Sequence, residues 1–291
     1  MASPASPSSV NTTGSTSQAP AEKPPTPPVN ILPSQLAQTY SYAHPAILLG
    51  LGAWRFEALV ADPMRELLAD LPWLAALQIS YVMLCLPPAG AASVEAGAAA
   101  DEEKKKAPRS PSGPSVTLRP GKPGYRRKQT SGKSSWTCVW AKLMPAFLSL
   151  ALTSLLATPV IAVLLVLFGA PLTTHNAETI LCAAHMALLS ATALVYVHGV
   201  DASVWKEVWG IARPADAVWG SALGTGLGAW FGAIPIPLDW DRPWQAFPIT
   251  ILTGAYIGYA VGSLVSRTPF IYGKRIQFAP EQTEEDEKKT N

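Results

Sequence analysis

No GxSxG nucleophile turn, Walker A loop, Rossmann fingerprint or kinase signature occurs in the 291 residues, which removes the commonest hydrolase, dinucleotide and phosphotransfer readings. Gly224-Thr225-Gly226-Leu227-Gly228 has the glycine density of a phosphate loop, but no lysine follows and no strand leads into it. Cysteine is scarce. Cys85, Cys138 and Cys182 form no disulfide framework, zinc ribbon or CxxC redox centre, so three free thiols with a packing role are expected. The basic central stretch is mixed with Asp101, Glu102 and Glu103 and lacks the aromatic interleaving of a nucleic-acid surface. No signal-peptide pattern opens the chain, because the first apolar run starts far from Met1 without a small-residue cleavage site. His175, Glu178 and His185 share a helix face but do not make HExxH, and Asn176 or Thr174 is expected to cap that helix.

What is present is apolar and long. Residues 146–168 carry no charge, and residues 177–197 carry only Glu178. Each run matches the roughly 20 residues that cross a bilayer. Residues 218–235 and 249–265 are shorter and uncharged. Two further spans are expected at 46–60, which holds Arg55 and Glu57, and at 67–86, which holds Asp70 and Pro72. A re-entrant hairpin is the alternative there. Charges inside a span normally face protein, so Arg55 is a candidate interhelical anchor or a phospholipid-phosphate contact.

These runs predict an all-α, polytopic membrane helical bundle of six transmembrane helices. Its organisation is a disordered cytosolic N-terminus at 1–41, helices 1–2 at 42–88 and a basic low-complexity linker at 89–142. Helices 3–6 follow at 143–266, then a tail at 267–291. Lysine and arginine crowd the linker, the loop at 199–216 and the tail, whereas Arg65 and Arg242 alone mark the other face. That bias puts both termini in the cytosol and leaves the sequon at Asn11 unused.

The last two spans carry a second pattern. Gly220, Gly224, Gly228 and Gly232 recur every four residues, and Gly254, Gly258 and Gly262 do the same. At 3.6 residues per turn each set lines one helix face. Glycine costs about 1 kcal/mol in a soluble helix, and close helix contact in lipid offsets that cost. These seven are the candidate packing residues.

Between them lies the candidate functional loop: Asp239, Trp240, Asp241, Arg242 and Trp244, set among Pro235, Pro237, Pro243 and Pro248. In an extended loop Asp239 and Asp241 point the same way and can share a divalent cation, although they do not complete its shell. Arg242 can grip a phosphate or pair with either aspartate. Trp240 and Trp244 suit the headgroup belt. Two readings stand: loop architecture or protein contact, and direct ligand chemistry.

The run from Gly228 to Gln245, continuing through Phe247-Pro248-Ile249-Thr250 and Gly254-Ala255-Tyr256-Ile257-Gly258-Tyr259, resembles the Pig-F family of glycosylphosphatidylinositol (GPI) anchor synthesis. Phe168-Gly169-Ala170-Pro171-Leu172 adds to the resemblance. It implies a multi-pass protein of the endoplasmic reticulum membrane and a small partner of large ethanolamine-phosphate transferases. Those partners add phosphoethanolamine, taken from phosphatidylethanolamine, to GPI mannose through their own metal-dependent luminal domain. It implies a non-catalytic stabilising subunit, with no catalytic residue, metal ligand or cofactor assigned to this chain. A headgroup-positioning or catalytic component of the same reaction and an independent transporter are the alternatives, and phosphatidylethanolamine is a candidate lipid partner. Lys288 and Lys289 resemble a dilysine retrieval signal, which requires the cytosolic tail that the charge bias assigns.

Overall fold

A computed structural model describes residues 27–90, 135–171, 173–238 and 241–276. The described elements are all helical. Helix α1, Gln35–Ala61, begins where the Ser34 hydroxyl accepts the Ala37 N–H at 3.2 Å. Asp62 closes α1 and opens α2, Pro63–Cys85: its backbone N–H reaches Ala58 O and its carboxylate accepts the Arg65 N–H at 3.1 Å. Pro63 in the first turn of α2 needs no N–H partner, so one acidic residue and one proline reverse the chain.

Helix α3, Ser135–Leu152, runs through a π-helical turn, Thr153–Ala157, into α4, Thr158–Leu167. Pro159 lacks an N–H and its ring crowds the preceding turn. The widened turn, in which Thr158 N–H reaches back to Thr153 O, carries the helix past it. Helix α5, Asn176–His198, is the central element: 72 % of its most apolar stretch is buried, against 11 % for Val139–Leu167. Small residues such as Ala183, Ala187 and Ala193 let neighbours close around it. The short α6, Ala202–Trp209, precedes α7, Ala217–Ala233, and α8, Ile249–Val265. Among the described helices, the α7–α8 pair makes the most extensive contact.

Among the described residues, three helices are long and apolar enough to cross a membrane: Pro63–Cys85, Val139–Leu167 and Asn176–His198. The chain is therefore a membrane-spanning all-α bundle. Leu155, Leu167, Phe168 and Trp54, each more than 70 % exposed, are the outward apolar surface that lipid or a partner covers.

Several expected boundaries shift. Helix α1 starts at Gln35, so residues 35–41, assigned to the N-terminal segment, are helical. Helix α3 starts at Ser135, inside the stretch assigned to the linker. Lys142, counted there as a linker charge, sits on the helix, and its ammonium reaches Met83 O at 3.4 Å near the end of α2. A cation at a helix C-terminus meets orphan carbonyls, which explains a lysine among apolar neighbours. The Asn11 sequon, residues 91–134 of the linker, and Lys288 with Lys289 lie outside the described residues.

Both described ends of the chain gather at one end of the bundle. Leu32 N–H reaches Cys85 O at 2.9 Å, Ala89 N–H reaches Tyr196 O at 2.9 Å, and Ala215 and Lys274 pair at 2.8 Å. The turn at Asp62 and the α7–α8 connection belong to the other ends of these helices.

Candidate functional site

The α7–α8 pair is a seam of backbone against backbone. A Cβ built on Gly228 would fall on Gly254 O and lie 2.8 Å from Gly258 Cα. One built on Gly224 would fall on Gly258 O and lie 3.0 Å from Gly262 Cα. On Gly220 it would lie 2.7 Å from Gly262 O and 2.5 Å from Ser266 Cβ. Gly232 opposes Thr250, with Ile251 Cα at 3.0 Å. From the other side, Gly254, Gly258 and Gly262 face the Gly228, Gly224 and Gly220 carbonyls respectively. The two helices thus run antiparallel with matching four-residue steps. Each Cα sits over the facing carbonyl, as in weak Cα–H···O contacts between close helices. Gly226 has nothing within 4 Å of its Cβ direction and lies off the seam.

The connection between these helices is pinned from within. Gln245 is 8 % exposed; its amide Nε2 donates to Pro235 O at 2.6 Å, and its Oε1 accepts the Arg242 N–H at 3.2 Å. One buried amide therefore ties both arms of the turn, a role the residue pattern left unassigned. Asp241 has φ of 48°, a left-handed conformation that aspartate tolerates better than branched residues. Asp241 and Arg242 are exposed and Trp244 is half-buried. Asp239 and Trp240 lie outside the described residues.

The histidine–glutamate face of α5 divides. His175 is exposed at the helix start with Nδ1 3.0 Å from the Thr174 hydroxyl, and Glu178 is half-buried. His185 is buried, with Nε2 2.9 Å from Leu67 O and Nδ1 3.0 Å from the Tyr256 hydroxyl. Both ring nitrogens are used to join α5 to α2 and α8. The start of α5 carries no side-chain cap from Asn176 or Thr174; His175 is the capping position, and Thr179 binds Pro171 O and His175 O instead. Among the described residues no group of three His, Cys, Asp or Glu side chains is placed to hold a metal ion.

A family model for the GPI biosynthesis protein family Pig-F matches residues 43–267. The chain belongs to the Pig-F family. It is 60 % identical over 296 residues to Glycosylphosphatidylinositol anchor biosynthesis protein 11 of Aspergillus fumigatus, with 98 % of each chain covered. To the Neurospora crassa protein of the same name it is 43 % identical over 249 residues, covering 86 % of this chain and 81 % of that one. A human relative, the GPI ethanolamine phosphate transferase stabilizing subunit, is 36 % identical over 120 residues, 40 % of this chain and 54 % of its own. No solved structure matches the chain.

Two further polar centres hold this Pig-F bundle together, and neither was legible in the residue pattern. Arg213 and Asp216 are fully buried, with Nη2 3.4 Å from Oδ2. The other carboxylate oxygen accepts the Val218 and Trp219 N–H groups at 2.9 and 2.8 Å, capping α7, while Oδ2 also accepts the Val29 N–H at 3.0 Å. In the sequence Arg213 counted only as a cytosolic charge. Arg267, past the end of α8, reaches Ser41 Oγ at 2.9 Å, Ser263 Oγ at 3.1 Å and the Tyr81 hydroxyl at 3.5 Å. Beside it His44 stacks on Tyr81 with centroids 4.6 Å apart, and its Nδ1 lies 3.3 Å from the Tyr259 hydroxyl. Serine and tyrosine at these helical positions look apolar-compatible in sequence. Only the assembled bundle makes them partners of one guanidinium.

Proposed function

We propose that this Pig-F chain is the non-catalytic stabilising subunit of GPI ethanolamine-phosphate transferase complexes, supporting phosphoethanolamine addition to GPI mannose in the endoplasmic reticulum membrane. The observation that carries this reading is where the glycines go. The small residues that drive helix association in lipid are consumed within the chain's own α7–α8 seam. The product is a rigid helix pair with Leu227, Trp230, Ile257 and Val261 turned outward. A preorganised apolar face is what a membrane-embedded partner can pack against without ordering it first. The human relative's name supports the same role. Phosphoryl transfer needs positioned charge-neutralising groups, and the large partner subunits supply them in this reading.

The finer arrangement follows from it. Six crossings are formed by α1, α2, the continuous α3–α4, α5, α7 and α8, the last two at the short limit for a span and crossing as a pair. The seven seam glycines set the pair, and the Asp239–Trp244 loop faces the lumen as a contact for the partner rather than a reaction centre. The ends of the chain, the central linker and the dilysine at Lys288 and Lys289 are cytosolic. A glycosylation acceptor inserted near Ser131 is expected to stay unmodified, whereas one in a lengthened α7–α8 connection is expected to be modified. Modification near Ser131, read as a gel shift removed by endoglycosidase, overturns this orientation.

The loop tests the role itself. In Asp241→Asn and Arg242→Gln, GPI phosphoethanolamine addition is expected to fall only as far as the amount of co-purified transferase falls. Quantifying the precursor and the complex in the same membranes checks this. A fully assembled Asp241→Asn complex with severely slowed transfer contradicts a stabilising role for the loop and assigns it chemistry.

A further inference from the structure

A cavity of about 420 Å³ opens between α1, α2 and α8, lined mainly by leucines of α1 and α2 with Gly52, Tyr256 and Ile257. Its charged side chains are Arg55 of α1 and Asp70 of α2, and His185 of α5 and Thr253 of α8 also line it. The guanidinium is not shared evenly between two carboxylates. Glu66 takes the close bonds, with Arg55 Nε at 3.0 Å and Nη2 in short contact, while Asp70 Oδ1 is left 3.6 Å from Nη2. With Glu66, which binds Arg55 from outside the cavity lining, the charged group at this rim holds one positive and two negative side chains. The more weakly held negative one is on the cavity wall, only 20 % exposed. A largely buried carboxylate is costly unless fully compensated, and here one guanidinium serves two carboxylates.

From the cavity and this charge arrangement we infer that it is a binding site for a phospholipid whose headgroup carries a primary ammonium. The ammonium sits on Asp70 as a compact three-donor cation. The headgroup phosphate faces the guanidinium edge that Glu66 does not occupy. An acyl chain lies along the leucines of α1. Phe56, Thr253 and Ile257 line both this cavity and a second one of about 860 Å³ beside the α7–α8 seam, which gives the other chain a continuous apolar path. A choline headgroup offers no N–H to Asp70, and an anionic headgroup adds repulsion to a rim already net negative. The inference stands on the cavity and its rim and does not depend on the partner role.

The test uses the full chain in phosphatidylcholine nanodiscs doped with a trace of photoreactive phosphatidylethanolamine, and equally with photoreactive phosphatidylcholine. The expected result is about tenfold more labelling by the ethanolamine lipid, mapped to α1 and α8, since one charge-assisted bond separates the two. Asp70→Asn is expected to bring that labelling down to the choline level. Gly52→Phe adds a ring at a cavity-lining helix position with no atom within 4 Å of its Cβ direction, narrowing the cavity one turn before Arg55 while keeping every charged residue in place. It is expected to lower labelling several-fold while thermal unfolding shows the bundle intact, which keeps the test valid if Asp70→Asn fails to fold. Equal labelling by the two lipids overturns the inference, as does full labelling of a folded Asp70→Asn or Gly52→Phe chain. Millimolar soluble phosphoethanolamine should leave labelling unchanged; if it abolishes labelling, the site is one for the free zwitterion and the lipid assignment fails.

Discussion

Gly228→Leu is expected to be the most damaging single change outside the polar centres, costing more than about 3 kcal/mol and removing most recoverable transferase complex. The new Cβ lands on Gly254 O and within 2.8 Å of Gly258 Cα, and neither backbone atom can rotate away as a side chain would. The helices must separate, and every contact along the seam is lost together because the glycines step in register. Gly226→Leu is the matched control. It adds the same bulk two residues away where nothing lies within 4 Å, and replacing glycine there favours the helix by roughly 1 kcal/mol. Thermal unfolding in detergent and co-purification at equal expression check both. Equal recovery of Gly228→Leu and the unaltered chain would show that the seam is not needed for assembly.

Asp216→Ala is expected to cost about 3–5 kcal/mol, because it leaves the Arg213 charge in a fully buried position without its carboxylate. It also removes two bonds to the first turn of α7 and the anchor of Val29, so the start of α7 and the segment leading into α1 loosen together. The diagnostic comparison is the double change Arg213→Met with Asp216→Asn. Removing both charges of a buried pair is far less costly than removing one, so the double variant is expected to unfold at a higher temperature than Asp216→Ala. If Asp216→Ala alone unfolds like the unaltered chain, the pair is not a structural centre. Proteolysis near residue 30 gives a second readout, rising in Asp216→Ala and not in Gly228→Leu.

These two positions differ in how visible they are before folding. The four-residue glycine recurrence is a local signal, because helix geometry alone puts such residues on one face. The apolar runs are equally local, since bilayer thickness fixes the length a span needs. Charge within a run is where that signal weakens. Arg55 and Glu57 blur the first helix, and its true start at Gln35 lies among Gln, Tyr and Ser residues, where the Ser34 cap opens the helix and α2 and α8 pack against it. Lys142 shows the same effect: it counts as solvated until Met83 O supplies its partner 59 residues away.

Helix class, the approximate positions of the apolar spans, the glycine faces and the family resemblance therefore follow from the residues taken in order, because each rests on short-range periodicity or on a contiguous motif. Pairing is different. Nothing in the spacing joins Val29 to Asp216, Arg267 to Ser41, His185 to Leu67, or Gln245 to Pro235 across the turn. Nor does spacing say that Glu66, rather than a lipid phosphate, takes the close bonds of Arg55 and leaves Asp70 on a cavity wall. Those outcomes belong to the tertiary structure, because a polar side chain buried in a bundle takes whichever donor or acceptor the neighbouring helix presents at that depth, and helix order and rotation set that depth only once the bundle has assembled.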